Sequence, residues 1–433
     1  MKNYKLLAPL VLVVLFLASL YMTFDANGKA DEEYHTYLAA ARSYAAQGIV
    51  VTALEHYAQA LGIQESLPLR LEIARIYQGG EDFRSTEKWG QEMLNTYPYS
   101  VEAYQYMMEL YHEKEDYAAC FVLADTMEKR NISRQTVSAI LDEIGYTHFF
   151  KGNYEEVSAF SEGLCAVRKK ETWGYVTETG GSAITSSYLK AGAFRHGLAP
   201  VEDRESDSYY IDAEGNKMKV APGMNRTCTL GVSESGFYTL YNGSTWGLYS
   251  DDGELVAGGY EDASSYINGV VAVLEEGRWH LLDNSGEALS NKTYEAIVQD
   301  EKGVVCRNDR LFAQEGGYYY LVETNGNKVS ETPYEDARLF CDDTYAAVKL
   351  DGKWGFIDTG GRMAIPPAYA DARSFSGGFA AVMSEDKWGF IDAEGNLVIP
   401  YTFEGAKDFN SRGGVFVKRD NEWNLLRLYR FNH

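Results

Sequence analysis

The sequence predicts a repeat protein of the α + β class: an apolar N-terminal helix, a helical solenoid, then all-β repeats that most simply form a β-propeller, with an open β-solenoid as the alternative. Three observations predict it. A run of uncharged residues opens the chain, an apolar period near 3.6 governs the stretch after it, and the phrase Lys353-Trp354-Gly355-Phe356-Ile357-Asp358 is written again at Lys387-Trp388-Gly389-Phe390-Ile391-Asp392. The expected division is a stub at 1–5, a membrane span at 6–24, a linker at 25–30, helical repeats at 31–162 and β repeats at 163–433.

Leu6 to Phe24 is a run of 19 residues without a charge, preceded by Lys2 and Lys5 and followed by Asp25. Such a length crosses the hydrocarbon core, and the flanking positive residues stay on the cytoplasmic side. The expectation is a single-pass cell-membrane protein with its N-terminus cytoplasmic and its repeats extracytoplasmic. A cleaved signal peptide and a secreted chain is the alternative, although Gly28-Lys29-Ala30 makes a poor cleavage site. No cysteine near the end of the run is placed to carry a lipid.

From Asp31 onward, Ala41, Tyr44, Gly48, Ala53, Tyr57 and Ala60 occupy the small and aromatic positions of a helix-turn-helix unit. Further registers follow at Ala74, Tyr77 and Pro98, at Tyr111, Ala124 and Met127, and at Gly145, Gly152, Val157 and Leu164. Small residues let helices cross closely and aromatics fill the gaps. These positions resemble a tetratricopeptide repeat array of about four units, with Lys151-Gly152-Asn153-Tyr154-Glu155-Glu156-Val157 its most family-like phrase. Residues 154–162 are expected to be helical; as strand they would close a ring against Val415 and Trp423.

In the β part, Trp173, Ser208, Trp246, Trp279, Tyr319, Trp354, Trp388 and Trp423 fall in phase, with gaps of 35, 38, 33, 40, 35, 34 and 35 residues. Seven residues on, a Gly closes a hairpin turn in seven of these eight units, as at Gly361 and Gly395. An aromatic follows fourteen or fifteen residues after the ruler position in six units, and five of the six carry another aromatic six residues further on. In the strand between, Trp388 and Phe390 point to one face and Ile391 to the other, so the sheet is apolar on both sides. Such sheets need cover on both faces, which stacked blades supply. The regular phase of Trp173, Trp246, Trp279, Trp354, Trp388 and Trp423 reads as core packing rather than a platform for sugars.

The phrase Trp-Gly-Phe-Ile-Asp-x-x-Gly, followed by Ile399-Pro400 or Ile365-Pro366-Pro367 and then Tyr-x-Asp-Ala-x-x-Phe, resembles the WG-containing (KWG) repeat of bacterial proteins. The resemblance is strong over 334–425 and fades toward 163. Ser208-Tyr209, Trp279-His280, Tyr319-Tyr320 and Trp423-Asn424 depart from the Trp-Gly pair.

Chemistry is sparse. The seven histidines show no ligand spacing, and His112-Glu113-x-x-Asp116 has Asp where a zinc-protease helix needs its second His. Neither a nucleophile turn nor a phosphate loop is present. Asp392-Ala393-Glu394-Gly395 reads as a turn, not a calcium loop. The cysteines, Cys120, Cys165, Cys228, Cys306 and Cys341, read as buried apolar residues, with Cys306 and Cys341 the one pair to test as a disulfide. A formal charge of -23 opposes nucleic-acid binding. The expectation is therefore a membrane-anchored scaffold without catalytic residues, metal or cofactor, binding a protein or peptide through exposed polar residues such as Arg42, Arg75 and Gln105. A cell-wall glycan binder and a propeller hydrolase are the alternatives.

Overall fold

The computed structural model describes residues 28–194, 197–205, 208–218, 229–230, 236–250, 252–301, 303–341 and 344–432. It divides into a helical unit ending at Gly145 and a β unit running from Tyr146 to Asn432. The expected span at 6–24 lies outside the described residues; among those described, no helix is long and apolar enough to cross a membrane.

The helical unit holds α1 (28–46), α2 (Val50–Ile63), α3 (Leu67–Gly79), α4 (Phe83–Thr96), α5 (Val101–Glu113), α6 (Tyr117–Lys129) and the short α7 (Ser138–Glu143). Side chains start three of these helices by accepting an otherwise orphaned backbone N–H: Asp82 from Ser85, Ser100 from Ala103 and Asp116 from Ala119. Asp116 is thus a helix cap. The core follows the expected positions, with Ala41, Ala53, Tyr57, Ala60, Ala74, Ala124 and Met127 all buried. At Gly90 a Cβ would lie 1.9 Å from the Met107 sulfur, so α4 and α5 cross where only glycine fits.

The fourth helical repeat is not formed, and 154–162 is not helical. His148–Tyr154 is a strand that pairs antiparallel with Glu422–Leu428, and Glu156–Val157 opens the next sheet. The local signal is a positive φ shared with the helical repeats: Glu81 and Glu115 adopt it in turns before Asp82-Phe83 and Asp116-Tyr117, whereas Gly152 adopts it at a bulge inside the strand, before Asn153-Tyr154. Long-range pairing decides between turn and bulge, because the last sheet lacks a fourth strand of its own. The β rhythm accordingly begins some fifteen residues before the expected 163.

Among the described residues, eight sheets succeed one another along the β unit, most of them four-stranded antiparallel meanders. The sixth is Asp336–Ala337, Ala346–Leu350, Lys353–Ile357 and Met363–Tyr369; the seventh is Asp371–Ala372, Ala380–Ser384, Lys387–Ile391 and Leu397–Phe403. The eighth takes Gly405–Ala406, Gly414–Arg419 and Glu422–Leu428 from the C-terminal end and His148–Tyr154 from the beginning. Each sheet shares an apolar core with the next. Ile357 of the sixth packs with Phe312 of the fifth, Phe356 of the sixth with Val382 of the seventh, and Phe390 of the seventh with Val417 of the eighth. Phe416 and Leu425 of the eighth then pack with Cys165 and Val167 of the first. The succession returns to its start, as in a propeller-like ring, and the open-solenoid alternative does not describe it.

The residue two after each ruler position is the buried one: Tyr175, Tyr210, Leu248, Leu281, Leu321, Phe356, Phe390 and Leu425 are each at most 5% exposed. The ruler residues themselves stand further out. Trp354 is buried, whereas Trp173, Trp246, Trp279, Trp388 and Trp423 are half-buried. Each pairs across to the downstream aromatic, as Trp354 with Tyr369 and Trp388 with Phe403, while Trp423 finds Tyr154 at the far end of the sequence.

The Gly of the pair has a separate reason. Phe356 pairs with Ile365 but Trp354 with Tyr369, so the outer strand carries two extra residues in a bulge that presses onto Gly355. A Cβ there would lie 2.7 Å from both the Ile365 carbonyl oxygen and the Pro367 nitrogen, and at Gly389 2.7 Å from the Ile399 oxygen. Where the Gly is replaced, the outer strand shrinks. With His280 or Tyr320 in its place, the fourth strand is reduced to single bridges, Trp279 to Tyr294 and Leu282 to Ala288, or Tyr319 to Tyr334 and Val322 to Lys328. With Asn424 the outer strand is the borrowed one.

Gly355→Ala and Gly389→Ala are each expected to destabilise the β unit by about 1–3 kcal/mol, since the obstructing atoms are backbone. Gly79→Ala, with nothing within 4 Å, is expected to leave stability unchanged or improved. Urea denaturation followed by tryptophan fluorescence tests this; unchanged midpoints for both substitutions in the Trp-Gly pairs would refute the close-approach account.

Candidate functional site

After the short first strand of each β repeat, the chain turns inward through four or five residues counted from the recurring aromatic. Four residues after that aromatic stand Ser158, Gly192, Ser264 and Val298 in earlier repeats, then Arg338, Arg373 and Lys407 in three consecutive ones. These cations line a cavity of about 500 Å3 together with Glu301, Asp408, Arg307 and Glu178.

The next positions tie sheets together. Seven residues after the aromatic, Ser161 Oγ donates to the Phe194 carbonyl at 2.7 Å and Ser376 Oγ to the Phe409 carbonyl at 2.6 Å. Asn410 Nδ2 donates to the Glu178 carbonyl at 3.0 Å, joining the eighth sheet to the first. In the fifth repeat, counted from Tyr294, this position is Glu301, and the preceding aromatic position is Asp300. An ionised carboxylate has no hydrogen to donate to a neighbouring carbonyl. The Glu301 side chain instead reaches beyond the sixth repeat to the seventh and eighth: its oxygens accept from Lys407 Nζ, both at 3.0 Å, and one accepts from an Arg373 Nη at 3.3 Å.

Arg373 is also held by Asp408 through two bonds of 2.6 and 2.8 Å, a fork matched to a carboxylate. Arg338 donates to Asp371 at 2.8 Å, with its guanidinium 5.0 Å from the Trp354 ring centre. Burial alone would raise the Glu301 carboxyl, but Lys407 and Arg373 more than offset it and hold it below its ordinary value. Burial would lower Arg373, yet Asp408 and Glu301 raise it well above the usual guanidinium range.

The expected site residues lie elsewhere. Arg42 is held by Glu72 through bonds of 3.0 and 2.6 Å, and the Tyr57 hydroxyl donates to the same carboxylate, so Arg42 braces α1 against α3. Gln105 donates to Glu109 along α5 at 2.8 Å. Arg75 is exposed on α3. Cys306 and Cys341 are free thiols, not a disulfide. Cys306 is packed in the core between the fourth and fifth sheets, and burial pushes its thiol up to about 11 and that of Cys341 up to about 12. Asp392 accepts backbone N–H from Glu394 at 3.1 Å and Asn396 at 2.8 Å, a turn carboxylate as expected. No group of three His, Cys, Asp or Glu among the described residues is arranged to hold a metal ion.

Sequence reasoning missed Glu301, Arg373 and Lys407. The signal was there in the one repeat of six that lacks the second aromatic.

The WG containing repeat family matches residues 150–173, 246–279, 321–354, 354–388 and 388–423. These five stretches of the β unit match the WG repeat. The first match begins inside the borrowed strand, and three others run without a break through the sixth to eighth sheets. No curated protein matches the sequence. Solved structures similar to this chain include BamB from Moraxella catarrhalis, with 12% identity over 65% of this chain and 100% of that one and a TM-score of 0.42. Kluyveromyces lactis Hsv2 has 13% identity over 64% and 98%, with a TM-score of 0.33. The WD40 β-propeller domain of Doa1 has 13% identity over 64% and 94%, with a TM-score of 0.30. The propeller-like arrangement of the WG repeats rests on their own sheet order and shared cores.

Replacing Glu301 by Gln is expected to lower stability at neutral pH. The Glu301 carboxyl titrates lower in the folded chain than in the unfolded one, so its contribution is complete above the ordinary carboxylate range and is lost as pH falls through the folded value. Denaturant titrations of parent and variant between neutral and acidic pH should therefore converge at the acid end. A difference that persists there would show that charge is not what Glu301 supplies.

Proposed function

We propose that this chain is a binding and scaffolding protein that engages a protein or peptide partner through its helical repeats and its WG-repeat ring. The observation that carries this reading is the division of labour in the β unit. Residues that recur through the array serve packing and turns, while Arg338, Arg373 and Lys407, cations found at their phase only in the later repeats, gather with Glu301 at one cavity. An interaction surface varied on a constant frame is how repeat proteins acquire partners. The helical hairpins support the reading by offering a tetratricopeptide-like face on which Arg75 stands exposed. Chemistry on a bound substrate is not part of this proposal.

The location proposed is the cell membrane, with Leu6–Phe24 as a single-pass anchor and both repeat units on the extracytoplasmic side. Protease added to intact spheroplasts should then degrade the repeats; protection would reverse the orientation, and a shortened secreted product would replace the anchor by a cleaved signal.

Crosslinking in native cells, followed by identification of what is captured, tests the scaffold reading. Arg75→Glu is expected to reduce capture with the melting temperature unchanged. Arg42→Glu should reduce both, because it also removes the brace to Glu72. Capture of wall glycan instead of protein would replace the proposed partner class.

A further inference from the structure

Glu301 stands where a ligand would stand. It comes from the one repeat in which the second aromatic is replaced, by Asp300, and it enters the cavity opposite two cations from other repeats. The repeats carrying Ser158, Gly192 or Ser264 at the corresponding position fold without a cation there, so packing does not require Arg373 and Lys407. Resting on the binding reading above, we propose that the cavity is a carboxylate-binding site whose internal occupant is Glu301, and that a carboxylate from outside takes its place on Lys407 and Arg373.

Three features favour exchange over a permanent brace. The two cations are the more enclosed half: their side chains are only 22% and 20% exposed, and Arg373 has a second partner in its fork on Asp408. Glu301 is the more open half: its side chain is 42% exposed, against 20% for Arg373 and 22% for Lys407, so of the three groups it has the readiest path to water. Finally, an incoming carboxylate would meet the same two donors that Glu301 meets, so the pairing of the cations is kept when Glu301 turns away. The incoming group must accept from Lys407 Nζ and an Arg373 Nη with geometry near 3.0 to 3.3 Å. A small polycarboxylate and an acidic side chain on a protein partner share that chemistry.

The test titrates the full chain by calorimetry with citrate and, separately, with a peptide of alternating Glu and Gly. Removing the occupant by Glu301→Ala should tighten binding of at least one probe by about tenfold or more, equivalent to about 1.4 kcal/mol. Adding Lys407→Met to that variant should abolish the gain. Tightening for citrate alone identifies a small ligand, and tightening for the peptide identifies an acidic partner. Equal affinity in parent and Glu301→Ala, binding indifferent to Lys407→Met, or binding of neither probe overturns the proposal. Should Glu301→Ala fail to fold, Glu301→Gln keeps the side-chain volume and is read by the same criteria. Partner capture in cells that persists when neither probe binds would sink this inference while leaving the scaffold reading standing.

Discussion

Every sheet of the β unit is apolar on both faces, and neither face is covered until the neighbouring sheet is in place. Val382 of the seventh sheet packs with Phe356 of the sixth, while Phe390, from the adjoining strand of the same seventh sheet, packs with Val417 of the eighth. No sheet can therefore be the last one in an open row without leaving a face bare. The eighth solves this by packing Phe416 and Leu425 on Cys165 and Val167 of the first, and its missing edge is filled by His148–Tyr154. The ring is thus joined twice at one place, by a core and by a strand from the opposite end of the β sequence. Such pairing is costly in chain entropy. It is also why a segment whose sequence resembles a helical-repeat turn becomes a strand.

Much of this is legible in the sequence, and the parts that are not share a cause. The period of the ruler residues reveals the number and phase of the repeats because each unit repeats the same packing problem. The deepest position lies two residues beyond the Trp: Trp388 is half-buried whereas Phe390 is fully so, since the side of a strand is set by alternation but the depth along it is set by the neighbouring sheet. The helix expected at 154–162 fails for a related reason. Gly152 has positive φ, as Glu81 and Glu115 do in the helical turns, but pairing with a partner near residue 425 makes it a bulge within a strand. Arg42 looks in sequence like an exposed groove residue, and only the packing of α1 on α3 reveals Glu72 and Tyr57 beside it.

The Trp-Gly pair joins two requirements that are separable. Gly355 admits a bulged outer strand at backbone contact, and Trp354 then covers the aromatic that the bulge brings round. Repeats with His280 or Tyr320 keep the aromatic pair, Trp279 with Tyr294 and Tyr319 with Tyr334, yet lose the continuous outer ladder. The pair of rings therefore survives without the glycine, and the strand does not. These two sheets flank the segment that carries Asp300 and Glu301, so relaxed pairing at the outer edge and charge at the inner end occur in the same part of the ring.

That coincidence bears on how a repeat array acquires a site. Residues at recurring phases are constrained by two neighbours each, and a change there exposes apolar surface on both sides. The fifth repeat has loosened that constraint: its ladder is short, Ile297 takes the place of the usual Ala beside the first strand, and Asp300 replaces the aromatic. Where the aromatic is replaced by Asp300, the Glu301 carboxylate lines the cavity at the position from which Ser161, Ser376 and Asn410 donate to a neighbouring sheet. Arg373 and Lys407 lie in repeats that keep both aromatics, at a position that carries Ser or Gly elsewhere. The cluster thus combines the repeat that has lost its second aromatic with two that retain it, and those two supply the cations that the Glu301 carboxylate meets.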